Sequence, residues 1–435
     1  MKFPKKGTSR EALMARMTEL RDKDARAADA RLFSLVYFTR PDILEVAKEA
    51  YNAFFSENAL NPMAFPSLRR METEIVGMAL SMLNAPEGAA GTMTSGGSES
   101  LLLAVKTARD ARPDVVDPEM ILPVTAHPAL LKAAHTTRVK PVIVPTTPAF
   151  GADVDAVKRA LTDKTILVVG SAPQYPHGVM DPIADLAKLA EERGILCHVD
   201  ACIGGFVLPW VDKLGYPVPP FDFRLSGVTS ISADVHKYGY AAKGASIVMY
   251  RTRELRKKQF FVCGDWPGGL FGSPSVLGTR PGGAIAAAWA VMNYLGEEGY
   301  LDLARRAMAA TKGIMAAVRE TPGLHVIGEP VASILAIGGD ESLDLYVLAE
   351  KMEERGWRLD KQQRPASLHL TISPAHDAVV DAFAEDLTAC TKAAREAKAR
   401  GEQPQGSAAM YGMLGSLPDR AMVDGALLEF MDGLE

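Results

Sequence analysis

Short β-rich runs alternate with helical stretches between about residues 90 and 280, and no other feature constrains the fold as strongly. The runs are MILPVT, PVIVP, TILVVGSA, ILCHVD, TSISAD and ASIVMYR. DPIADLAKLAEERG, between two of them, reads as a helix that a glycine stops. Such alternation predicts βαβ units, hence a mostly parallel sheet with helices on both faces. In open sheets of this kind ligands collect at the carboxyl ends of the strands. The strand ends are therefore where chemistry is expected.

The flanks read differently. Residues 1–60 form a charged helical arm, with Leu13, Met17 and Leu20 at helical spacing. SLRRMETEIVGMALSMLN is an amphipathic helix opening a large domain of residues 61–310. A smaller α+β domain, 311–435, follows: HVIG, SILAIG and LHLTIS read as strands, LDLYVLAEKMEERG and about Asp377–Arg400 as helices. A flexible GEQPQGS and a final amphipathic helix close the chain. The fold class expected is α/β, with this smaller domain appended.

Composition narrows the function by exclusion. Of the 435 residues 48% are hydrophobic and 23% charged, the balance of a soluble globular protein. A net charge of −5 gives no electrostatic case for nucleic acid or an anionic membrane as main partner. No apolar run approaches the ~20 residues that span a bilayer, and the basic start lacks the apolar core of a signal peptide. Cys197, Cys202, Cys263 and Cys390 show no metal-binding spacing and are expected as reduced thiols in a cytoplasmic protein.

Three motifs carry candidate chemistry. In TMTSGGSESLLLAVKTARD a small-residue loop, Thr94–Ser98, runs straight into a helix. A helix N-terminus offers unsatisfied amides and partial positive charge, so a glycine-rich approach suits an anion, with Ser95 and Ser98 able to add hydroxyl donors. By itself the pattern fits a serine-capped helix equally well. In GILCHVDACIGGF, Asp200 ends an apolar strand, a costly place for a charge without a partner. A structural salt bridge and a grip on a cationic ring nitrogen both fit. In TSISADVHKYGYAAKG, Lys237 stands at a strand end, where desolvation frees a nucleophilic amine. Taken in order, the three meet the demands of pyridoxal 5′-phosphate: an anion cradle, a partner for the pyridinium and an amine for the aldehyde.

The sequence resembles the sphingosine-1-phosphate lyase family, within the group II decarboxylase superfamily of pyridoxal-phosphate enzymes (fold type I, aspartate aminotransferase-like). The matching stretches are FPSLRRMETEIVGMALSMLN, TMTSGGSESLLLAVKTARD, GSAPQYPHGVMDPI, HVDACIGGF, SISADVHKYGYAAKG, GTRPGGAIAAAWAVMNYLGEEGY and AAMYGMLGSLPDRAMV. The resemblance implies that Lys237 forms the Schiff base, Asp200 pairs with the pyridinium and His127 stacks on the ring. It implies that Gly96, Gly97 and Ser98 hold the cofactor phosphate with His236 beside it, and that Ser171 and His198 border the cofactor. The GTRPGG loop (Gly278–Gly283, including Gly282) would reach the site from the partner subunit of a homodimer, and Lys243 would meet the substrate phosphate. The reaction implied is retro-aldol cleavage of the C2–C3 bond of a phosphorylated long-chain base, giving a fatty aldehyde and phosphoethanolamine. Tyr238 and Tyr240 are candidate helpers in proton transfer.

One stretch departs from the family. NPMAFPS, Asn61–Ser67, stands where the pattern is Asn-Pro-Leu-His-Pro-Asp-Val-Phe-Pro, and it is shorter and lacks the histidine. The membrane anchor of the eukaryotic members is not read in this chain either. Two other uses of the scaffold therefore stay open: an amino-acid decarboxylase, which needs a cation for the substrate carboxylate, and an aldolase-like or transaminating enzyme acting on another amine.

Overall fold

The computed structural model of the chain describes residues 2–404, 409, 411–412, 417 and 419–433. Parts of GEQPQGS and of AAMYGMLGSLPDRAMV lie outside the described residues. Seven strands form one sheet: β1 (Ala90–Thr94), β2 (Glu119–Pro123), β3 (Lys140–Val144), β4 (Thr165–Ser171), β5 (Leu196–Asp200), β6 (Ser230–Ala233) and β7 (Ser246–Tyr250). Their order is β1-β7-β6-β5-β4-β2-β3. All neighbours are parallel except β7, which runs against both β1 and β6. The six runs expected as strands are strands; β1, whose AGTMT is not an apolar run, is an addition.

Every strand but β3 is buried along its whole length or nearly so, as a sheet covered on both faces requires. β3 is the exposed edge, and its Lys140 and Pro141 suit a strand that must not pair further. Helices α1 (Arg10–Arg21), α2 (Pro41–Ala53) and α3 (Pro66–Met82) precede the sheet. Helices α4 (Gly97–Ala111), α5 (Ala129–Thr137), α6 (Val154–Ala160), α7 (Ile183–Glu192) and α8 (Leu208–Lys213) lie in its connections. The stop after α7 is Gly194, whose φ of 63° is the left-handed turn that glycine takes without strain.

After β7 come α9 (Arg253–Gln259), the hairpin β8 (Phe261–Cys263) and β9 (Phe271–Ser273), and α10 (Gly282–Glu320), broken at Gly296. The smaller body is an antiparallel sheet of β10 (Leu324–Val326), β11 (Ile334–Gly339), β12 (Asp360–Gln362) and β13 (Ser367–Thr371), ordered β10-β11-β13-β12. Helices α11 (Leu345–Glu354) and α12 (Val380–Ala399) back it, and α13 (Arg420–Asp432) follows.

The segment after α1 fastens the front of the chain to this smaller body. Leu32 bridges Arg358 in parallel, and Phe33, fully buried, stacks on His376 with ring centroids 4.3 Å apart. Trp357 and Phe383 complete the cage. Removing a fully buried phenylalanine costs about 3–5 kcal/mol. Phe33→Ala is therefore expected to lower the unfolding free energy, measured by denaturant titration, by an amount of that order, and a loss under ~1 kcal/mol would show the fastening to be idle.

Burial also holds several histidines neutral. It pulls His177, His198 and His376 down to about 4, with Asp200 opposing the shift at His198 and the Ser373 and Leu32 backbone opposing it at His376. The unfolded chain binds these protons first, near pH 6.5. Their contribution is complete above pH 6.5 and falls as pH drops toward 4. Denaturation followed between pH 7 and 4 should show this slope, and His198→Gln and His376→Gln should each reduce it by up to one proton. An unchanged slope in both variants would mean that the imidazoles are already charged in the fold.

Candidate active site

The parallel register sets the ends of β4, β5 and β6 side by side: Ser171 opposite Asp200, and Asp200 opposite Ser232. Beyond β6 the chain makes a tight turn, in which the Lys237 amide donates to Asp234 O (3.2 Å) and Tyr240 to Lys237 O (2.9 Å). His236 N donates across to Ala245 O at 3.0 Å. On the other side, β1 leads through Ser95 and Gly96 into α4. These elements enclose a cleft of about 400 Å³ whose lining includes Gly96, Gly97, Ser98, His127, Ser171, Asp200, His236 and Lys237.

The cleft's charge is organised by a residue the sequence reading passed over. Lys237 Nζ lies 2.9 Å from Asp234 Oδ2, and His236 Nε2 lies 3.7 Å from the same oxygen. Burial pulls the Lys237 ammonium down, but the Asp234 carboxylate outweighs it and holds the amine above its ordinary pKa. Burial pushes Asp234 up, yet Lys237 and His236 bring it below the usual carboxylate range. At His236 burial wins over Asp234, and the imidazole is held below its ordinary value. In the chain as it stands the amine is thus a paired ammonium.

Asp200 is placed by its own strand end. Its Oδ1 accepts from the Cys202 amide at 3.1 Å, and Ser232 Oγ stands 3.5 Å away. Beneath it, His198 is held by Ser230 (2.9 Å) and Ser232 (3.3 Å) and is fully buried, so it supports Asp200 from a second layer and does not line the cleft. Ser171 is fixed through its amide by Asp181, which also accepts from Ala152 N. Burial raises the Asp181 carboxyl to about 6 against those two bonds. His127 lies on the open side of the cleft, its Nδ1 accepting from Ala129 N at 3.1 Å.

Ser95 differs from expectation. Its hydroxyl proton goes to Glu99 Oε2 at 2.7 Å, so it is not free to donate to an anion. Tyr238 is also spoken for: fully buried, it donates to the carbonyl of Ile372 at 2.8 Å. Tyr240 packs against Tyr238 and Tyr300, away from the cleft lining. The tyrosine that does line it is Tyr175, whose hydroxyl donates to Asp360 Oδ2 at 2.9 Å and whose ring stacks on His369. Tyr37, raised to about 12 by burial against the opposing pull of Lys237, packs edge-on against Tyr238 with ring centroids 4.8 Å apart.

Lys243 and Gly282 do not line this cleft. Lys243 lies in an adjoining cavity of about 280 Å³ with Arg40, Lys48 and Tyr37, and His236 belongs to both spaces. Its Nζ sits 5.2 Å over the Tyr37 ring, and burial, then the neighbouring Lys237, lowers its pKa. Gly282 instead donates its amide to Glu57 O at 2.9 Å.

The lining suits a phosphorylated pyridine aldehyde. Two buried polar atoms, Asp234 Oδ1 and His236 Nδ1, lack a partner among the described residues. Gly97 leaves room where a Cβ would come within 2.9 Å of both Asp234 Oδ2 and Cys202 Sγ. An amine, two carboxylates and a helix N-terminus are the partners such a group needs.

Comparison with known proteins agrees. Residues 27–336 match the pyridoxal-dependent decarboxylase conserved domain. The chain is 41% identical over 436 residues to a sphingosine-1-phosphate lyase of Dictyostelium discoideum, covering 99% of this chain and 82% of that one. It is 46% identical over 393 residues to one of Arabidopsis thaliana, covering 88% and 72%. The solved structure of a sphingosine-1-phosphate lyase from Burkholderia pseudomallei superposes with a TM-score of 0.88 at 38% identity, covering 92% of this chain and 94% of that one. Fold, cofactor class and relatives converge: the chain is a pyridoxal-phosphate-dependent lyase of fold type I, and it belongs to the sphingosine-1-phosphate lyase family.

Proposed function

We propose that the chain cleaves the C2–C3 bond of sphingosine 1-phosphate or a related phosphorylated long-chain base, releasing a fatty aldehyde and phosphoethanolamine. The observation that carries this reading is the pair of adjoining cavities joined at His236. One holds Lys237 and Asp200; the other sets Lys243, Arg40 and Lys48 beside Phe38, Ile43 and Leu44. A phosphate and a hydrocarbon tail find complementary surfaces there. An amino-acid decarboxylase needs a cation for the α-carboxylate, and no arginine lines the Lys237 cleft among the described residues.

When bound, pyridoxal phosphate takes up the substrate amine and draws in the electron pair left on C2. Lys237 Nζ would hold it, and until then its charge is balanced by Asp234 Oδ2 2.9 Å away. Asp200 would balance the positive pyridine nitrogen, the Gly96–Ser98 turn would receive the phosphate with His236 beside it, and His127 would cover the ring. Tyr175, its own proton committed to Asp360, has an oxygen lone pair for the substrate C3 hydroxyl. As the C2–C3 bond breaks, that hydroxyl proton would pass to the Tyr175 oxygen while Tyr175 hands its own to Asp360 Oδ2, and Lys237 Nζ would supply the proton that C2 gains.

On the same reading the chain works as a homodimer in the cytoplasm. Helix α1 buries none of its residues, and Leu13, Met17 and Leu20 lie exposed along it. The Gly278–Gly283 loop, absent from its own chain's cleft lining, reaches the partner's site.

Incubating the holoenzyme with sphingosine 1-phosphate should yield both products by mass spectrometry, and Lys237→Ala should yield neither. Carbon dioxide release from an amino acid, with no aldehyde from the lipid, would replace this reading with the decarboxylase one. Light scattering should return about twice the 46.7 kDa chain mass. A fully active monomer would sink the shared-site assignment.

A further inference from the structure

Glu99 stands in the first turn of α4 and lines the Lys237 cleft, so a negative charge is buried beside the turn read as a phosphate cradle. Its two oxygens face two different pieces of the chain. Oε2 accepts from Ser95 N at 2.6 Å and from Ser95 Oγ at 2.7 Å. Oε1 accepts from the amides of Val276 at 2.8 Å and Leu277 at 3.3 Å. Four donors converge on one carboxylate, and both oxygens must accept. A glutamine has a single acceptor oxygen, so one pair of donors would face its NH₂. The pattern therefore demands an acid.

The second piece is the arm that joins β9 to α10. It has its own stiffening: Ser273 Oγ donates to Ser275 O at 2.8 Å, and Ser275 Oγ to Leu277 O at 3.0 Å. Farther on, Arg280 pairs with Glu72 on α3. On its other side the arm continues into the β8–β9 hairpin, whose turn leaves Trp266 and Leu270 exposed. Glu99 is thus a clamp between the cradle turn, fixed at Ser95, and the middle of an arm whose two ends are held by Gln259 at the Pro274 carbonyl and by Glu72 at Arg280.

We propose that Glu99 is a positioning residue that couples the two: it sets the cradle turn for a phosphate, and a filled cradle in turn orders the 273–277 arm and its hairpin. This rests on the reading of Gly96–Ser98 as the cofactor's phosphate site. By linkage the coupling is reciprocal, so whatever the phosphate does for the arm, the arm does for phosphate affinity.

The test compares wild type, Glu99→Gln and Glu99→Ala, each stripped of cofactor and titrated by absorbance with pyridoxal 5′-phosphate and with pyridoxal. Wild type should prefer the phosphorylated form. In Glu99→Ala that preference should fall about tenfold, the scale of one lost charge-assisted hydrogen bond, with pyridoxal affinity little changed. Glu99→Gln keeps one acceptor and should lose about threefold on the same scale; it carries the test if the alanine variant does not fold. Chymotrypsin cleavage after Leu270 supplies the second readout; the Trp266–Pro267 bond resists the protease. Saturating pyridoxal 5′-phosphate should slow it severalfold in wild type and leave the rate unchanged in Glu99→Ala. A preference retained in both variants, a parallel loss for both ligands, or cofactor protection surviving in Glu99→Ala would each overturn the proposal. A wild type with no preference for the phosphorylated form would instead remove the cradle reading beneath it.

Discussion

The parallel register of β4, β5 and β6 is the constraint from which the cleft follows. It brings Ser171, Asp200 and the turn carrying Asp234 to one edge of the sheet, where no strand continues to cover them. Main-chain bonds between the buried strands β4, β5 and β6 hold that edge, so side-chain placement there costs no further ordering of the backbone. The antiparallel pair β7–β1 then brings the start of α4 around to face the same edge. Amine, carboxylates and helix N-terminus meet because the strand order leaves them no other place.

Two buried carboxylates in one small cleft need separate partners, or one of them would be driven to take a proton. The chain provides them. Asp234 faces Lys237 and His236, whereas Asp200 is bonded by the Cys202 amide and backed by Ser232 and the neutral His198. A third acid, Glu99, is silenced by four donors of its own. Burying charge is expensive, and each of these acids sits where a specific set of donors offsets that cost.

The sheet and the principal candidates were legible in the sequence because their signals are local. ILCHVD is an apolar run that ends in an acid, and TSISAD is an alternating run with Lys237 close behind; periodicity and punctuation suffice to set them at strand ends. β1 was not legible, since AGTMT owes its strand state to its pairing with β7 and not to its own composition. Asp234, Glu99 and Asp181 were passed over for a related reason. Each is one of many ordinary acids until the fold brings it its partners: an amine, two loop segments or a pair of amides. The serine and tyrosine assignments shifted likewise, because Ser95 and Tyr238 spend their hydroxyl protons on neighbours that only tertiary structure supplies.

The wall of the cleft near Tyr175 is built from three remote stretches. Asp360 takes the Tyr175 proton on one oxygen and that of Ser34 on the other, at 2.9 and 3.0 Å, closing separations of 185 and 326 residues. Contacts so distant along the chain come late, because their loops must close before any bond rewards them. On the ribosome the sheet can gather its strands as they emerge, but Tyr175 has no acceptor until residue 360 has been made. The last part of the cleft to mature is therefore its rim, and a chain halted short of that point would carry a cradle and an amine without the wall that closes around them.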